Sequence, residues 1–553
     1  MPFLAEIAIT VPNQDLLSWM FDNPSYDVDK PVISYSPKNE IYIDAAIPSR
    51  SISHREALLL TRQQAAGLRE AGLQDGDCVC LHSFNDIYYS MAFLGIIAAG
   101  GIFAGTNPAY TTYELTHAIR TAAIRFFIVD PALLPNVLAA CTETGLPHSH
   151  IIVFDPPHPS AHPAPVPISS NLPTWSSLLN HGEADWHRFD AKILSESIPV
   201  ARLFSSGTTG LPKALDLTHA NFVAQHTLVM EYRPRPYEVR RLICNPMFHV
   251  SQVPRAHTSP IRGGIVTVVM RRFEMQAWLA NLARFEISEV NLVPQMVVMI
   301  LASGQAERSS FRTIRNSWSG AAPLDPSLQK KFKKLLPEGA PLNQVWGMSE
   351  TSCIATMLYY PEEDATGSVG KFIPNLDAKI VDDDGRDISG VNVRGEVCVR
   401  GPTIVRGYYK RANEGDWDEE GYFHTGDIGY VDERGMWWVV DRKKELIKVR
   451  GFQVAPAELE AVLLHHPSIV DAAVIGVQPD PTASELPRAY VVPRPGAAVT
   501  VEDVRKFSQE RLARYKNLDG GVVFVQEIPK NASGKILKNL LRDRAKRELG
   551  AKI

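Results

Sequence analysis

Cysteine is scarce in this 553-residue chain, with six residues at positions 78, 80, 141, 244, 353 and 398. Cys78 and Cys80 are separated by one residue and no second pair follows, so a zinc framework is not implied. The remaining spacing describes no disulfide scaffold, and reduced thiols in an intracellular compartment are expected. An excess of charge of either sign is also missing: 57 Lys and Arg face 61 Asp and Glu, a net charge of −4. Nucleic acid is therefore not an expected partner, and no charge block suggests a disordered tail. Long apolar runs are absent. The most apolar stretch, Met91 to Ala104, is too short and too rich in glycine for a membrane span, which needs roughly 20 residues. It reads instead as a buried helix running into a strand. The N-terminus has no basic segment followed by an apolar one, so a secretory leader is not expected.

What is present is ordinary globular usage, 45% hydrophobic and 21% charged, on a chain long enough for a large core and more than one domain. Between His54 and Phe154 helical and strand patterns alternate. Helical periods cover 54–72, 86–99, 113–123 and 132–141, and strand patterns cover 78–81, 102–104, 126–129 and 151–154. This alternation predicts βαβ units and a mostly parallel sheet. Asp155 to Pro173 is proline-rich and reads as an ordered, irregular surface loop. Alternation continues from Val239 to Leu301. Glycines then cluster at apparent strand ends between Asn316 and Ser368, where ligands bind in open α/β sheets. Gly421 to Val440 reads as short strands and turns. A boundary is expected at 441–445, dividing a large domain (1–441) from a small α/β domain (442–553). In the small domain helices are predicted over 457–465 and 501–514, with a strand over 472–477. The fold class is thus α/β, with a short β-rich portion before the small, mobile C-terminal domain.

The stretch Leu203-Phe-Ser-Ser-Gly-Thr-Thr-Gly-Leu-Pro-Lys213 carries the first chemistry. Ser205, Ser206, Thr208 and Thr209 offer hydroxyls. Gly207 and Gly210 let backbone N–H groups approach a ligand closely, and Lys213 adds a cation. Converging donors of this kind cradle an anion such as a polyphosphate. The Walker pattern fails, because Pro212 occupies the place of its second glycine and Ala214 follows the lysine, so an ordinary P-loop NTPase is disfavoured.

Six further clusters follow in order: Pro246-Met-Phe-His249, Ser319-Gly-Ala-Ala-Pro-Leu324, Gln344-Val-Trp-Gly-Met-Ser-Glu350, Tyr422-Phe-His-Thr-Gly-Asp427, Asp441 to Pro456, and Pro529-Lys-Asn-Ala-Ser-Gly-Lys535. Together with the loop they resemble the adenylate-forming superfamily of acyl-CoA synthetases, luciferases and adenylation domains. Lys444-Glu-Leu-Ile-Lys448 and Gly451-Phe-Gln-Val-Ala-Pro456 look most like 4-coumarate–CoA ligase-like enzymes. The resemblance extends from about residue 40 to 545.

The resemblance implies an ATP- and Mg²⁺-dependent carboxylic acid–CoA ligase, which forms an acyl-adenylate with loss of pyrophosphate and then passes the acyl group to coenzyme A. It casts Ser205 to Gly210 and Lys213 as the phosphate loop. Glu350 becomes the Mg²⁺ ligand, a role suited to a hard carboxylate oxygen. Gly320, Ala321 and Ala322 become the strip lining the adenine and acyl pocket, and Gln344 joins the ATP contacts. Trp346 stands where a tyrosine usually stacks on adenine, and Ser349 replaces a usual threonine near phosphate. Asp427 takes the ribose, and Arg442 contacts ribose or phosphate. Lys535 reaches the carboxylate and α-phosphate during adenylation. Lys444 sits at a hinge about which the small domain would rotate, replacing Lys535 with Lys448, Arg450 and Gly451. Arg272, Lys444 and Gln453 join those three as coenzyme A contacts. His249, Ser251, Arg255, Ala321 and Val345 fall in the acyl pocket.

Departures from the family pattern bear on the acid. Val345 stands where phenolic-acid ligases have glycine and narrows the path for a flat ring. Ser251 and Arg255 replace a tyrosine and a small serine. Arg255 either faces the pocket, pairing with a second carboxylate or a polar group, or turns outward to a surface acid. On these departures 4-coumarate itself is not the expected acid. Two other readings stay open: an adenylate-forming enzyme that uses a carrier-protein phosphopantetheine or another acceptor, and a catalytically silent binding homologue. The final Ala551-Lys552-Ile553 is of the small–basic–aliphatic type read by the peroxisomal import receptor, so a peroxisomal address is one expectation and a chance ending the other.

Overall fold

The computed structural model describes residues 1–26, 40–157, 171–205, 212–412, 415–449, 452–478, 484–531 and 534–550, apart from the side chain of Gln453. Ser206 to Gly210, Arg450, Gly451, Ala551 to Ile553 and most of the proline-rich 155–173 loop lie outside the described residues.

Two sheets dominate the large domain. A six-stranded sheet runs Ile151–Val153, Ile124–Val129, Cys78–His82, Ile102–Gly105, Pro199–Ser205, Lys213–Thr218 across its width, and every neighbouring pair is parallel except the last. A seven-stranded sheet runs Leu342–Gln344, Asn316–Ser319, Glu289–Leu292, Arg240–Ile243, Val266–Val269, Glu40–Asp44, Ser51–Ser53, again with only the final pair antiparallel. Strands such as Cys78–His82 and Val266–Val269 are buried along their whole length. That burial is why they read as continuous apolar runs rather than alternations.

The crossover helices match the sequence periods closely. His54–Glu70 starts at a capping box in which Ser53 and Glu56 satisfy each other's backbone N–H groups. Ile87–Ala98 is almost wholly buried, which accounts for its apolar sequence without a membrane. Among the described residues no helix is long and apolar enough to cross a bilayer. All six cysteines are buried and unpaired.

The β-rich portion is a four-stranded antiparallel sheet of Asp377–Val381, Gly395–Arg400, Phe423–Val431 and Trp437–Arg442. Phe423–Val431 alternates buried and half-buried residues along its length, as a one-sided strand must. The chain leaves this sheet at Arg442 through a turn in which Glu445 N and Leu446 N both donate to Arg442 O. Beyond it, Ile469–Val477 pairs antiparallel with Leu486–Pro493, which pairs parallel with Gly521–Phe524. Helices Pro456–Leu464, Val501–Gln509 and Lys538–Gly550 pack on this sheet, and two small apolar clusters sit on its faces, apart from the large-domain cores.

The helix expected over 501–514 ends at Gln509. Val504, Leu512 and Tyr515 still face the same cluster, but the chain reaches the later two through a turn and a short 3₁₀ segment, Arg514–Lys516. The apolar period continued and the backbone did not, because packing selects side-chain direction rather than helix type.

Candidate active site

The carboxyl ends of the parallel strands open into one cavity of about 500 Å³, closed on one side by the small domain. Ser205 and Lys213 reach it as partners on adjacent antiparallel strands, and both line the cavity. Gly320 and Ala321 follow the Asn316–Ser319 strand, and Val345 to Glu350 follow Leu342–Gln344. Three non-glycine residues here hold positive φ: Ala321 at 72°, Ser352 at 57° and Cys353 at 125°. Each such conformation costs on the order of 1–3 kcal/mol and persists only where the surroundings impose it. Gly347 is required by close approach, because a Cβ there would stand 1.7 Å from the Cys353 carbonyl oxygen.

Around Asp427 and Glu350 the polar groups are paired with other residues of the protein. Trp346 Nε1 donates to Asp427 Oδ2 at 2.7 Å, and its ring meets Phe372 edge-on. Arg442 Nε pairs with Asp427 Oδ1 at 2.6 Å, and that carboxylate, ahead of the opposing cost of burial, raises the arginine's pKa. Glu350 is buried, and its Oε1 accepts from the Tyr408 hydroxyl at 2.8 Å. Lys213 Nζ lies 4.5 Å over the Tyr408 ring, so one tyrosine positions both an anion and a cation. Deeper in the wall, Glu396 takes Lys443 at 3.0 Å and has His424 at 3.7 Å. Burial opposes the charge of Glu396, but His424 and Lys443 outweigh it and hold the carboxyl near 2.

The small domain contributes Lys535. A tight hairpin presents it: Asn531 N donates to Lys535 O at 2.9 Å, and Lys535 N donates back to Asn531 Oδ1 at 2.8 Å. Gly534 carries a φ of 80°, and a Cβ there would lie 3.4 Å from Gln295 Oε1, so the turn rests on the large domain. Burial first, and the charge of Arg442 second, push the Lys535 pKa below the ordinary lysine range. Lys535 acts in turn on His249. Burial, with the lysine's charge adding to it, pulls that imidazole down to about 4, and its Nδ1 lies 2.9 Å from Ser251 Oγ.

These features match known proteins along the whole chain. The AMP-binding enzyme family model covers residues 30–409, and that of the AMP-binding enzyme C-terminal domain covers 458–535. The chain belongs to the AMP-binding enzyme family. A phenylacetyl-CoA ligase, epaB, from Aspergillus niger is 50% identical over 99% of this chain and 100% of its own length. 4-Coumarate-CoA ligase 1 of Narcissus pseudonarcissus is 32% identical over 97% of this chain and 95% of its own. Among solved structures, ATP-bound MatB from Rhodopseudomonas palustris superposes with a TM-score of 0.82 at 25% identity, covering 97% of this chain and 99% of that one. The expected membership among adenylate-forming enzymes and the α/β fold with a small C-terminal domain both hold.

Within this AMP-binding enzyme, Ser205, Lys213, His249, Ser251, Arg255, Gly320, Ala321, Val345, Trp346, Ser349, Glu350, Arg442, Lys444 and Lys535 all line the cavity. Several other expected site residues do not. Gln344, expected among the ATP contacts, spends its side-chain amide on the protein: Oε1 accepts from Leu324 N at 2.7 Å and Nε2 donates to Leu324 O at 3.0 Å. It therefore shapes the loop after Ser319. Asp427, expected at the ribose, stands behind the lining with both oxygens engaged by Trp346 and Arg442. Arg272 and Lys448 are exposed and outside the cavity, and Ala322 is not part of its wall. Arg255 does not turn outward but is buried and lines the cavity.

Sequence reading missed Tyr408, Glu396 and Lys443, which gain their roles only when the four-stranded sheet meets the parallel one. It also missed Lys538, buried between Glu445 at 3.2 Å and Glu460 at 3.0 Å, which ties the turn after Arg442 to the small domain.

Proposed function

We infer that this protein is an ATP-dependent carboxylic acid–CoA ligase, forming an acyl-adenylate with release of pyrophosphate and then an acyl-CoA thioester. The observation that carries the reading is the meeting of Lys535, from the small domain, with Lys213 and Glu350, from the large one, and Arg442, at the junction between them, around a single cavity. Two anions, the carboxylate and the α-phosphate, must approach each other in the first step. A partly dehydrated lysine offsets their repulsion more strongly than one in water, because its field is less screened. Lys213, with the 205–210 loop, is assigned to the departing pyrophosphate. Trp346 is assigned to the adenine face and Arg442 to the ribose or phosphate. The names of the curated relatives support the CoA acceptor, phenylacetyl-CoA ligase and 4-coumarate-CoA ligase among them.

Mg²⁺ fits this site. Glu350 is a buried hard-oxygen donor at the cavity wall, and its Oε2 makes no hydrogen bond among the described residues. No cluster of three metal-ligating side chains is found among those residues, as suits an ion held by one carboxylate, phosphate oxygens and water. When bound, the ion would supply charge neutralisation at the phosphates.

We assign Arg272, Lys444, Lys448, Arg450, Gly451 and Gln453 to coenzyme A in a second arrangement, reached by rotation at the 442–446 turn. The exposure of Arg272 and Lys448 supports this, since neither is committed to the present cavity. The test is carboxylate-dependent ATP–pyrophosphate exchange on a panel of acids, followed by addition of CoA. Exchange with at least one acid, and thioester once CoA is present, is the expected result. Exchange without thioester would move the acceptor to a carrier protein, and no exchange with any acid would overturn the ligase reading.

A further inference from the structure

The acyl end of the cavity ends on an arginine with nothing to hold. Arg255, on the short helix Val253–Ala256, is 6% exposed and lines the cavity, yet its Nε and Nη1 are buried without a hydrogen-bond partner. A buried, unpaired guanidinium is among the costliest arrangements in a protein interior. Its Cζ lies 5.2 Å from the centre of the Trp318 ring, and Arg235 Cζ lies 5.5 Å from the same ring.

The nearby carboxylate does not relieve it. Glu289 accepts from Arg235 Nε and Tyr237 Oη at Oε1, both at 3.1 Å, and from Arg241 Nε at 3.1 Å and Nη2 at 2.9 Å at Oε2. Four donors saturate the roughly four acceptor sites of a carboxylate. Three guanidiniums therefore face one carboxylate, leaving an excess of two positive charges. Cys353 adds no anion, since burial pushes its thiol up to about 12. Burial, followed by the charge of Arg241, pulls Arg255 down to about 9, which leaves it cationic at neutral pH.

Water relieves only part of this. A second cavity of about 10 Å³ is lined by Arg255, Cys353, Ile354, Gln225 and His226, among others. It holds about one water. That water can take one or two of the five guanidinium N–H donors and cannot neutralise the charge.

We propose that the acid this enzyme activates carries a second carboxylate, at the end remote from the one adenylated, and that Arg255 receives it. The inference rests on the ligase reading and adds the substrate class. A carboxylate accepts from a guanidinium N–H in a charge-assisted hydrogen bond, and it lowers the local excess of charge by one. His249, neutral at physiological pH, lines the same pocket without competing for that anion.

The test compares matched pairs of acids that differ only in a terminal carboxylate, such as phenylacetic with 4-carboxyphenylacetic acid and hexanoic with adipic acid. ATP–pyrophosphate exchange and thioester formation are read for each. The wild-type enzyme is expected to prefer the dicarboxylic member of at least one pair by about tenfold to a hundredfold in kcat/KM, the range for a hydrogen-bonded charge pair. Arg255→Gln should lose that preference, with kcat/KM falling much further for the dicarboxylic member than for the monocarboxylic one and the difference lying in KM, and Arg255→Lys should retain part of it. Monocarboxylic preference throughout the wild-type panel, or equal loss on both members in Arg255→Gln, would overturn the proposal with the ligase reading intact. No exchange with any acid would overturn both. Because the wild-type comparison needs no variant, it decides the matter even where Arg255→Gln fails to fold.

Discussion

The two ends of the cavity treat their charges in opposite ways. At the nucleotide end Asp427 has both oxygens engaged, Arg442 and Trp346 are held by it, and Glu350 is anchored by Tyr408. At the acyl end Arg255 is buried with Nε and Nη1 unpaired, against a carboxylate already saturated by others. A prepaired group is fixed before substrate arrives and costs no reorganisation during reaction, which suits chemistry common to every turnover. A group left open has its desolvation cost repaid only by a ligand that matches it, which suits discrimination. The difference separates what the reaction needs from what the substrate must bring.

The largest expected effect falls on the reaction end. Lys535→Ala should slow adenylation by about 10²- to 10³-fold, the range for removing one donor at developing charge. It should leave thioester formation from a preformed adenylate nearly intact. Pyrophosphate exchange and single-turnover assays measure the two steps separately, and equal loss of both would break the assignment of Lys535 to adenylation alone. Next, Trp346→Phe leaves Asp427 Oδ2 without its indole donor. The KM for ATP should rise by about tenfold with the KM for the acid unchanged, as expected for one orphaned buried acceptor. A rise in the acid KM instead would erase the division between the two ends.

Val345→Gly sharpens the comparison from the acyl side. Val345 Cγ2 stands 3.0 Å from where a Cβ on Gly320 would lie, so the valine methyls form a constriction between the two strand ends. Their removal should raise kcat/KM for flat aromatic acids several-fold, the scale of one or two methylenes in a pocket, with little change for ATP. The smallest effect is on pH. Burial and Arg442 lower the Lys535 pKa, so its proton is lost earlier as pH rises. The rate of adenylation should therefore fall on the alkaline side with an inflection below the usual lysine value of about 10.4. An inflection above that value, or the same inflection in Lys535→Ala, would remove Lys535 from the profile.

The parallel sheets were legible in the sequence because strands buried on both faces read as apolar runs and their helices carry capped, periodic patterns. The nucleotide-end residues were legible because they sit in short clusters near strand ends, as with Glu350 after Leu342–Gln344. Gln344 shows the limit of that reading. It belongs to such a cluster, yet its amide turns to Leu324 because the strand buries it. Tyr408 shows the reverse. No local pattern marks it, and it acquires its place through an antiparallel bridge to Leu215 on the Lys213–Thr218 strand.

Sequence alone determined the fold class, the family and the inventory of charged groups, since each is carried by local pattern and short-range spacing. Only the tertiary structure decided which of those charges are satisfied. The hydrogen-bond partners of Asp427 and Glu289 come from other strands and loops, Nε and Nη1 of Arg255 find none, and whether a buried charge is paired depends on angles and distances that no spacing encodes. The arginine that sequence left free to face either way is, in the folded chain, buried in the cavity wall with Nε and Nη1 unpaired.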